Sequence, residues 1–155
     1  MSIAFEDIVD AHVTDLTTNV SGLTTAVTHR YAMWSAELLY TERDERHLAV
    51  FPTGEPEVTG PLLVDGSVLA EQSYSILVWE DTGGDVERMV ENPTDDEAWL
   101  ALYRAIRDRL FLTANNQLGS SEIMKTAYRG GSFERSGKLR LMELRFAVAV
   151  PLLYS

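Results

Sequence analysis

The first residues of the chain carry apolar side chains at the spacing of one face of an α-helix. These positions recur at steps of three and four: Phe5, Ile8, Val9, His12, Val13 and Leu16. Acidic residues fall off that face, and those in the first turn complement the helix dipole. The pattern predicts an amphipathic helix over Phe5–Leu16, and Gly22 favours a helix end soon afterwards.

A second helix is predicted over Thr94–Leu110. It opens on Thr94-Asp95-Asp96-Glu97, a capping box in which the threonine hydroxyl accepts a backbone N–H bond and the glutamate reaches back to the helix start. One stripe of this helix is apolar, and its arginines lie mainly outside the stripe. The stripe comprises Ala98, Trp99, Leu102, Ile106 and Leu110.

Other segments have the composition or the period-two pattern of β-strands. The clearest is Leu69–Glu80, whose alternate side chains fall on two sides, as in a sheet with one buried face. The two sides are Tyr74, Ile76 and Val78 against Ser73, Ser75 and Leu77. The remaining predicted strands are Val27–Trp34 (which would also tolerate a helix), His47–Phe51, Ile123–Tyr128 and Leu139–Val150.

Glycine and proline mark the predicted connections. Asp65-Gly66 predicts a tight turn before the long strand, and residues 81–93 read as a loop. Gly130-Gly131 and Gly137 predict a mobile or hairpin connection before the last strand, and Pro151 is expected to end that strand.

Two amphipathic helices can bury their apolar stripes and also cover a sheet only if both helices lie on the same face of that sheet. The predicted fold class is therefore α+β: a two-layer sandwich, mainly antiparallel in its sheet, with two amphipathic helices on one face. A chain of 155 residues is sufficient for one core, so we expect a single domain over residues 1–155.

Composition excludes several kinds of chemistry. The chain has no cysteine, which removes disulfides, thiolate metal sites and cysteine nucleophiles. The segment Ser132–Leu139 resembles a phosphate-binding loop only distantly, because it lacks the first glycine and the terminal hydroxyl residue and leads into a strand. The three histidines (His12, His29 and His47) lack the spacing of metal ligands. We therefore expect no catalytic residues, no metal site, no cofactor and no enzymatic activity.

Charge is unevenly distributed along the chain, whose net charge is −11. Residues 80–97 contain eight acidic residues and one basic residue, whereas residues 125–145 contain six basic and two acidic residues. Such runs are commonly solvated surface, but they also suit a head-to-tail contact between copies of the chain. The acidic candidates for a subunit interface or lumen are Glu80, Asp81, Asp85, Glu87 and Glu91. The basic candidates for a subunit interface are Lys125, Arg129, Arg135, Lys138 and Arg140.

The order of these elements resembles the tail terminator proteins of long-tailed bacteriophages, the lambda-like minor tail protein U family. The resemblance covers nearly the whole chain and rests on element order. Its points are Phe5–Leu16 as the opening helix, the run HLAVFP from His47, a loop with Val58-Thr59-Gly60, the strand Glu71–Asp81, the helix Thr94–Leu110 and the closing strand Leu139–Val150.

The resemblance implies a structural virion protein without catalysis. Such a protein forms a ring, hexameric in this family, that caps the tail tube, ends tube polymerisation and joins the tail to the head connector. Its partners would be copies of itself, the tail tube protein and the head connector or neck protein. Two alternatives stay open: another neck protein, such as a head-completion or stopper protein, and an unrelated small α+β ligand-binding domain or enzyme.

The acidic balance fits a ring through which DNA passes without specific binding, because negative charge repels phosphate. The chain starts on Glu6, Asp7 and Asp10 where an export signal would be basic and then apolar, so we expect assembly in the host cytoplasm and a place in the virion. The longest apolar run, Phe146–Tyr154, is too short for a membrane span.

Overall fold

The computed structural model describes residues 5–30, 46–62, 66–81, 93–113, 125–136 and 139–153. These residues form two α-helices and a six-stranded sheet. The elements in chain order are α1 (Phe5–Asn19), a 3-10 turn (Ser21–Leu23), β1 (Val27–Arg30), β2 (Arg46–Pro52), β3 (Glu57–Leu62), β4 (Ser67–Asp81), α2 (Pro93–Thr113), β5 (Lys125–Ser136) and β6 (Leu139–Leu153). The predicted α+β fold class is confirmed.

The sheet has the order β1-β2-β4-β6-β5, and β3 pairs with β4 beside β2. β1 is parallel to β2, and the other pairs are antiparallel. β4 and β6 pair along their whole lengths, from Ser67 opposite Leu153 to Asp81 opposite Leu139. β2 borders the second half of β4 and β3 borders its first half, so one long strand supports two shorter ones.

Both helices pack against the same face of this sheet. The main core joins Ile8 and Leu16 of α1 and Ile106 of α2 to alternate residues of β2, β4 and β6. We call this the helix face, and its strand residues are Leu48, Val50, Tyr74, Ile76, Val78, Met142, Leu144, Phe146 and Val148. In α2 the predicted stripe is buried from Trp99 onwards, but Ala98 is exposed, so the stripe begins one residue later than predicted.

The opposite face of the sheet is also partly buried, which the prediction of a single buried face for β4 missed. Leu77 and Trp79 pack there with Ala49 and Leu141 in a second apolar cluster. Ser75 on the same side is buried as well, whereas Ser73 is exposed. The predicted alternation therefore assigns the β4 side chains to the correct faces of the sheet, but the face away from the helices is only partly exposed to solvent.

Three predicted boundaries are wrong, each for a tertiary reason. Residues 58–60 form part of β3 rather than a loop, because they lie in a hairpin alongside β4. Gly130 and Gly131 lie inside β5, where Gly130 adopts φ +108° at a register shift after Tyr128. Pro151 continues β6 opposite Leu69, two residues beyond Ala149, which forms the last pair of β6 with β5 among the described residues, and a missing N–H is tolerated where a strand has no neighbour.

The other predicted elements agree with the structure where it describes them. α2 begins at Pro93, one residue before the predicted start, and proline is favourable at the first helical position. Gly66 has φ +88°, which suits the predicted turn before β4, but residues 63–65 of that turn lie outside the described part, and β5 and β6 form the predicted hairpin. The strand expected over residues 27–34 is described for residues 27–30. Several predicted features lie outside the described part. They are the capping-box side chains before Glu97, residues 31–45, the loop at 82–92 and residues 123, 124 and 137.

Candidate assembly surfaces

One of the acidic candidates, Glu80, lies between two arginines on the helix face. Its carboxylate accepts hydrogen bonds from Arg46 Nε at 2.9 Å and from Arg140 Nε at 2.6 Å. Both guanidiniums also approach the ring of Trp99, at 5.8 Å for Arg46 and 4.7 Å for Arg140 from the ring centre. Arg46 further donates to the Gly22 carbonyl at 2.8 Å. This charged cluster ties β2, β4 and β6 to α2 and to the turn after α1.

The strand register explains this cluster. Arg46 is opposite Glu80 on one side of β4, and Arg140 is opposite Glu80 on the other side. Paired residues of adjacent strands point to the same face, so the three side chains must converge. Two of the sequence-predicted interface residues, Glu80 and Arg140, therefore bind each other within one chain.

The remaining acidic candidates are less well defined. Asp81 ends β4 opposite Leu139, and its side chain is not among those described. Asp85, Glu87 and Glu91 lie outside the described residues. Their role as an interface or lumen stays a prediction.

The basic candidates are distributed along the β5–β6 hairpin. Lys125 is the first residue of β5, and Arg135 of β5 lies opposite Arg140. Only the backbones of Lys125 and Arg135 are described, and Lys138 lies outside the described residues. Arg129 is exposed on the face opposite the helices and donates to Glu71 of β4 at 2.7 Å. This half-exposed pair spans β6 and contributes little to stability.

The histidines occupy two different environments. His12 of α1 is buried against Phe146, with ring centres 4.3 Å apart, and its Nε2 has no hydrogen-bond partner among the described residues. Burial lowers the pKa of His12 to about 3, although the charge of Asp15 opposes that shift. His29 and His47 share a hydrogen bond of 2.9 Å and stack with Trp79 on the opposite face. The spacing of these two histidines in the sequence did not indicate this contact, because the contact arises from the parallel pairing of β1 with β2.

An aromatic seam joins α2 to β5, which pairs only with β6 among the described strands, and this seam was missed from the sequence. It consists of Tyr103 and Phe111 of α2 with Tyr128 and Phe133 of β5. Tyr103 and Tyr128 share a hydrogen bond between hydroxyls, Phe133 packs on Tyr103 at 4.5 Å, and Phe111 meets Tyr128 edge-on at 5.4 Å. The phenylalanines nevertheless remain half exposed, at 52% for Phe111 and 48% for Phe133.

Two arginines act on the hydroxyl pair of the seam through their charge. Burial and the bond to Tyr103 raise the pKa of Tyr128 to about 12, while the positive charges of Arg107 and Arg145 oppose that shift. Arg107 pairs with Asp108 at the surface. One signal in the sequence could have revealed the seam. Tyr103, Arg107 and Phe111 are spaced four residues apart, which places them on one side of α2.

A second exposed surface lies on β3, at the other edge of the sheet. Val58 is 54% exposed and Leu62 is 68% exposed. Glu55 and Glu57 of the same segment are exposed too, and Glu57, opposite Glu71, lies on the face away from the helices. We call residues 55–62 the acidic arm. In the part of the chain that the structure describes, β3 pairs with β4 alone.

The described residues contain neither a cluster of metal ligands nor a membrane-spanning helix. Within them, histidine, aspartate and glutamate side chains do not gather in threes at a site suited to a metal ion. None of the helices described is both long enough and apolar enough to cross a membrane.

Comparison with known proteins gives a structural likeness without a sequence one. No protein-family model matches the chain, and no curated protein does. A chain in the solved structure "Virion of native gene transfer agent (GTA) particle" superposes with a TM-score of 0.56 at 15% identity, over 92% of each chain. The chain described here therefore shares its fold with a chain of a gene transfer agent virion.

Proposed function

We propose that this chain is a structural virion protein and, within that class, a tail terminator. Copies of it form a ring that caps the tail tube, stops its polymerisation and receives the head connector. The family resemblance implies six subunits in this ring. The observation that carries the proposal is the shared fold with a gene transfer agent virion chain over 92% of both chains. The order of elements, from the opening helix to the closing strand, supports the same assignment.

Two exposed surfaces, one on β3 and one beside β5, support a ring as the form of assembly. The acidic arm on β3 and the aromatic seam beside β5 differ in charge and shape, so they favour contact between unlike surfaces over a two-fold pairing of like ones. Contacts between unlike surfaces generate closed rings when the rotation between neighbours permits it.

Charge supports the passage of DNA through such a ring. The net charge of −11 opposes binding to phosphate, and we assign the acidic segment with Asp81, Asp85, Glu87 and Glu91 to the channel or to an axial partner. The charge of Glu80 is compensated by Arg46 and Arg140, so this residue serves the stability of the subunit. On the basic hairpin, Lys125, Arg135 and Lys138 are assigned to the contact with a neighbouring copy.

The test is assembly of the purified chain with its tail tube protein. We expect rings in electron micrographs, with one subunit number per ring, and capture of the tail tube protein by the immobilised chain. Added to polymerising tube protein, the chain should shorten the tubes. A chain that stays monomeric, both alone and beside tube protein, would refute the proposal. Capture of the head connector without capture of tube protein would instead identify another neck protein.

A further inference from the structure

Three aromatic side chains form a cluster on the sheet face that lies away from the helices. They are His29 of β1, His47 of β2 and Trp79 of β4, and their ring centres are 5.2 to 5.4 Å apart. Strand register produces this cluster, because His47 lies opposite Trp79, and His29 lies opposite Ala49, two residues further along β2 on the same face. Trp79 and His47 are buried, whereas His29 is half-buried.

The two imidazole rings of this cluster meet nitrogen to nitrogen. His29 Nε2 and His47 Nδ1 are 2.9 Å apart, and the planes of the rings differ by 16°. This separation is shorter than the roughly 3.5 Å at which stacked atoms touch, so the rings lie edge to edge and one donates a hydrogen bond to the other. A metal ion in line between the nitrogens would need about 2 Å to each of them, so the gap suits a proton and not a metal.

This hydrogen bond limits how many protons the two histidines can carry. When both rings are neutral, one facing nitrogen donates and the other accepts. One further proton, bound at the far nitrogen of the donor ring, leaves the bond intact. A second further proton would place an N–H on both facing nitrogens, so the bond would be lost and two like charges would lie in contact. The observed geometry therefore tolerates one positive charge in the pair but not two.

The charged neighbours on this face are carboxylates, and they do not remove the limit. Glu143 of β6 lies opposite Leu77, and Asp81 ends β4 on the same side with its side chain outside those described. Among the described residues of β1 and β2, the two histidines are the only titratable groups on this face. Burial and, after it, the charge of His47 lower the pKa of His29 in spite of these carboxylates.

β1 has few other means of attachment to the sheet. It is four residues long, and it pairs with β2 alone among the described strands. A short strand at the border of a sheet opens locally at a lower cost in free energy than the strands inside the sheet. The departure of β1 would leave backbone N–H and C=O groups of β2 without partners, and such a row of groups can accept a strand of another chain.

We propose that the His29–His47 pair is a proton-sensitive latch, which holds β1 on β2 at neutral pH and releases it when the pair binds a second proton. Released histidines have the ordinary pKa of 6.5, whereas the pKa of His29 is lowered in the folded chain, so the attachment is complete above pH 6.5 and weakens as the pH falls below it. The inference goes beyond the proposed function and does not rest on it, because the latch lies within one chain.

The test is amide hydrogen exchange of the full-length chain at pH 7 and pH 5, read by mass spectrometry on a peptide that covers β1 and corrected for the intrinsic effect of pH on exchange. We expect the protection of β1 to fall about tenfold or more, because each proton bound on release raises the opening constant up to about tenfold per pH unit. This pH range lies above the ordinary titration of carboxylates.

His29→Gln and Thr28→Val are the matched variants. A glutamine amide can turn either its nitrogen or its oxygen towards His47, so its bond survives protonation of that ring and the loss of protection at pH 5 should disappear. Thr28 lies on the other face of the same strand, opposite Leu48, so Thr28→Val should keep the loss. If His29→Gln fails to fold, His29→Phe replaces it, which keeps a ring beside Trp79 without a nitrogen and should also remove the pH dependence.

His12→Leu separates the latch from the buried histidine of α1, whose protonation acts on the whole fold. In this variant β1 should still lose its protection at pH 5, while the protection of α2 should hardly change.

Three outcomes would overturn the latch: equal protection of β1 at pH 7 and pH 5, a loss of the same size in α2 of His12→Leu, or a loss that persists in the His29 variants. A wild-type chain that forms no rings, alone or beside tube protein, but shows the loss in β1 would refute the proposed function and leave the latch standing.

Discussion

Replacing Glu80 with glutamine removes one negative charge from the charged cluster while the size of the side chain stays the same. In the wild-type chain the carboxylate accepts from Arg46 and Arg140, and these side chains are 14% exposed for Glu80, 29% for Arg46 and 9% for Arg140. In Glu80→Gln two guanidiniums face each other across a neutral amide. One end of that amide is itself a donor and cannot accept from either arginine.

The size of the effect follows from these exposures. Removing one partner of a buried ion pair costs about 3–5 kcal/mol, because the other charge is left uncompensated. Arg46 retains some contact with water, and the glutamine oxygen still accepts one bond. We therefore expect the lower end of the range, about 3 kcal/mol of unfolding free energy. For a chain of this size that corresponds to a fall in Tm of roughly 6–12 °C.

The assay is urea unfolding of the wild-type chain, Glu80→Gln and the control Glu134→Gln, below the concentration at which the chain assembles. Glu134 is exposed on β5, so its neutralisation should change stability by less than about 0.5 kcal/mol. The loss in Glu80→Gln should persist in high salt, because a partly buried pair is screened little. Equal stability of the two variants would refute the structural role assigned to the cluster.

Two further predictions concern α1 and β5. The folded-state pKa of His12, about 3, lies below the value of 6.5 for an exposed histidine, so the unfolded chain binds the proton first and the stability present above pH 6.5 is lost as the pH falls towards 3. That loss is at most about 5 kcal/mol, and His12→Leu should flatten the dependence of unfolding free energy on pH between 6.5 and 4; an unchanged slope would contradict it. Gly130→Ala places a side chain at φ +108° and should cost about 1–2 kcal/mol in urea unfolding, whereas Gly54→Ala, in open space, should be neutral or stabilising. A loss as large in Gly54→Ala would show that backbone strain is not the cause.

The sequence predicted the elements that have a strong period of their own. The stripe from Trp99 to Leu110 and the alternation of Tyr74, Ile76 and Val78 are local patterns, and a buried face requires them whatever the neighbours are. The boundaries that failed depend on neighbours instead. Pro151 could be recognised as a strand residue only from its pairing with Leu69 of β4, which lies more than 80 residues earlier in the chain.

The candidate assembly residues were harder to predict for the same reason. Glu80 and Arg140 were selected because each lies in a run of like charge, yet strand register places them side by side. A run of charge says nothing about which members are already paired within the subunit. The aromatic seam was missed because Tyr103 and Tyr128 lie on different elements, and only packing of α2 on β5 brings their hydroxyls together.

The full-length pairing of β4 with β6 has a consequence for how the protein is made. It joins positions roughly 60 to 85 residues apart in the chain, and contacts of that sequence separation slow folding markedly. β6 is also the last of the described strands to leave the ribosome, although β4 and β5 both need it as their neighbour. During synthesis β4 therefore has no β6 strand to pair with until nearly the whole described chain has been translated, and an apolar strand without its neighbour is prone to aggregate during that time.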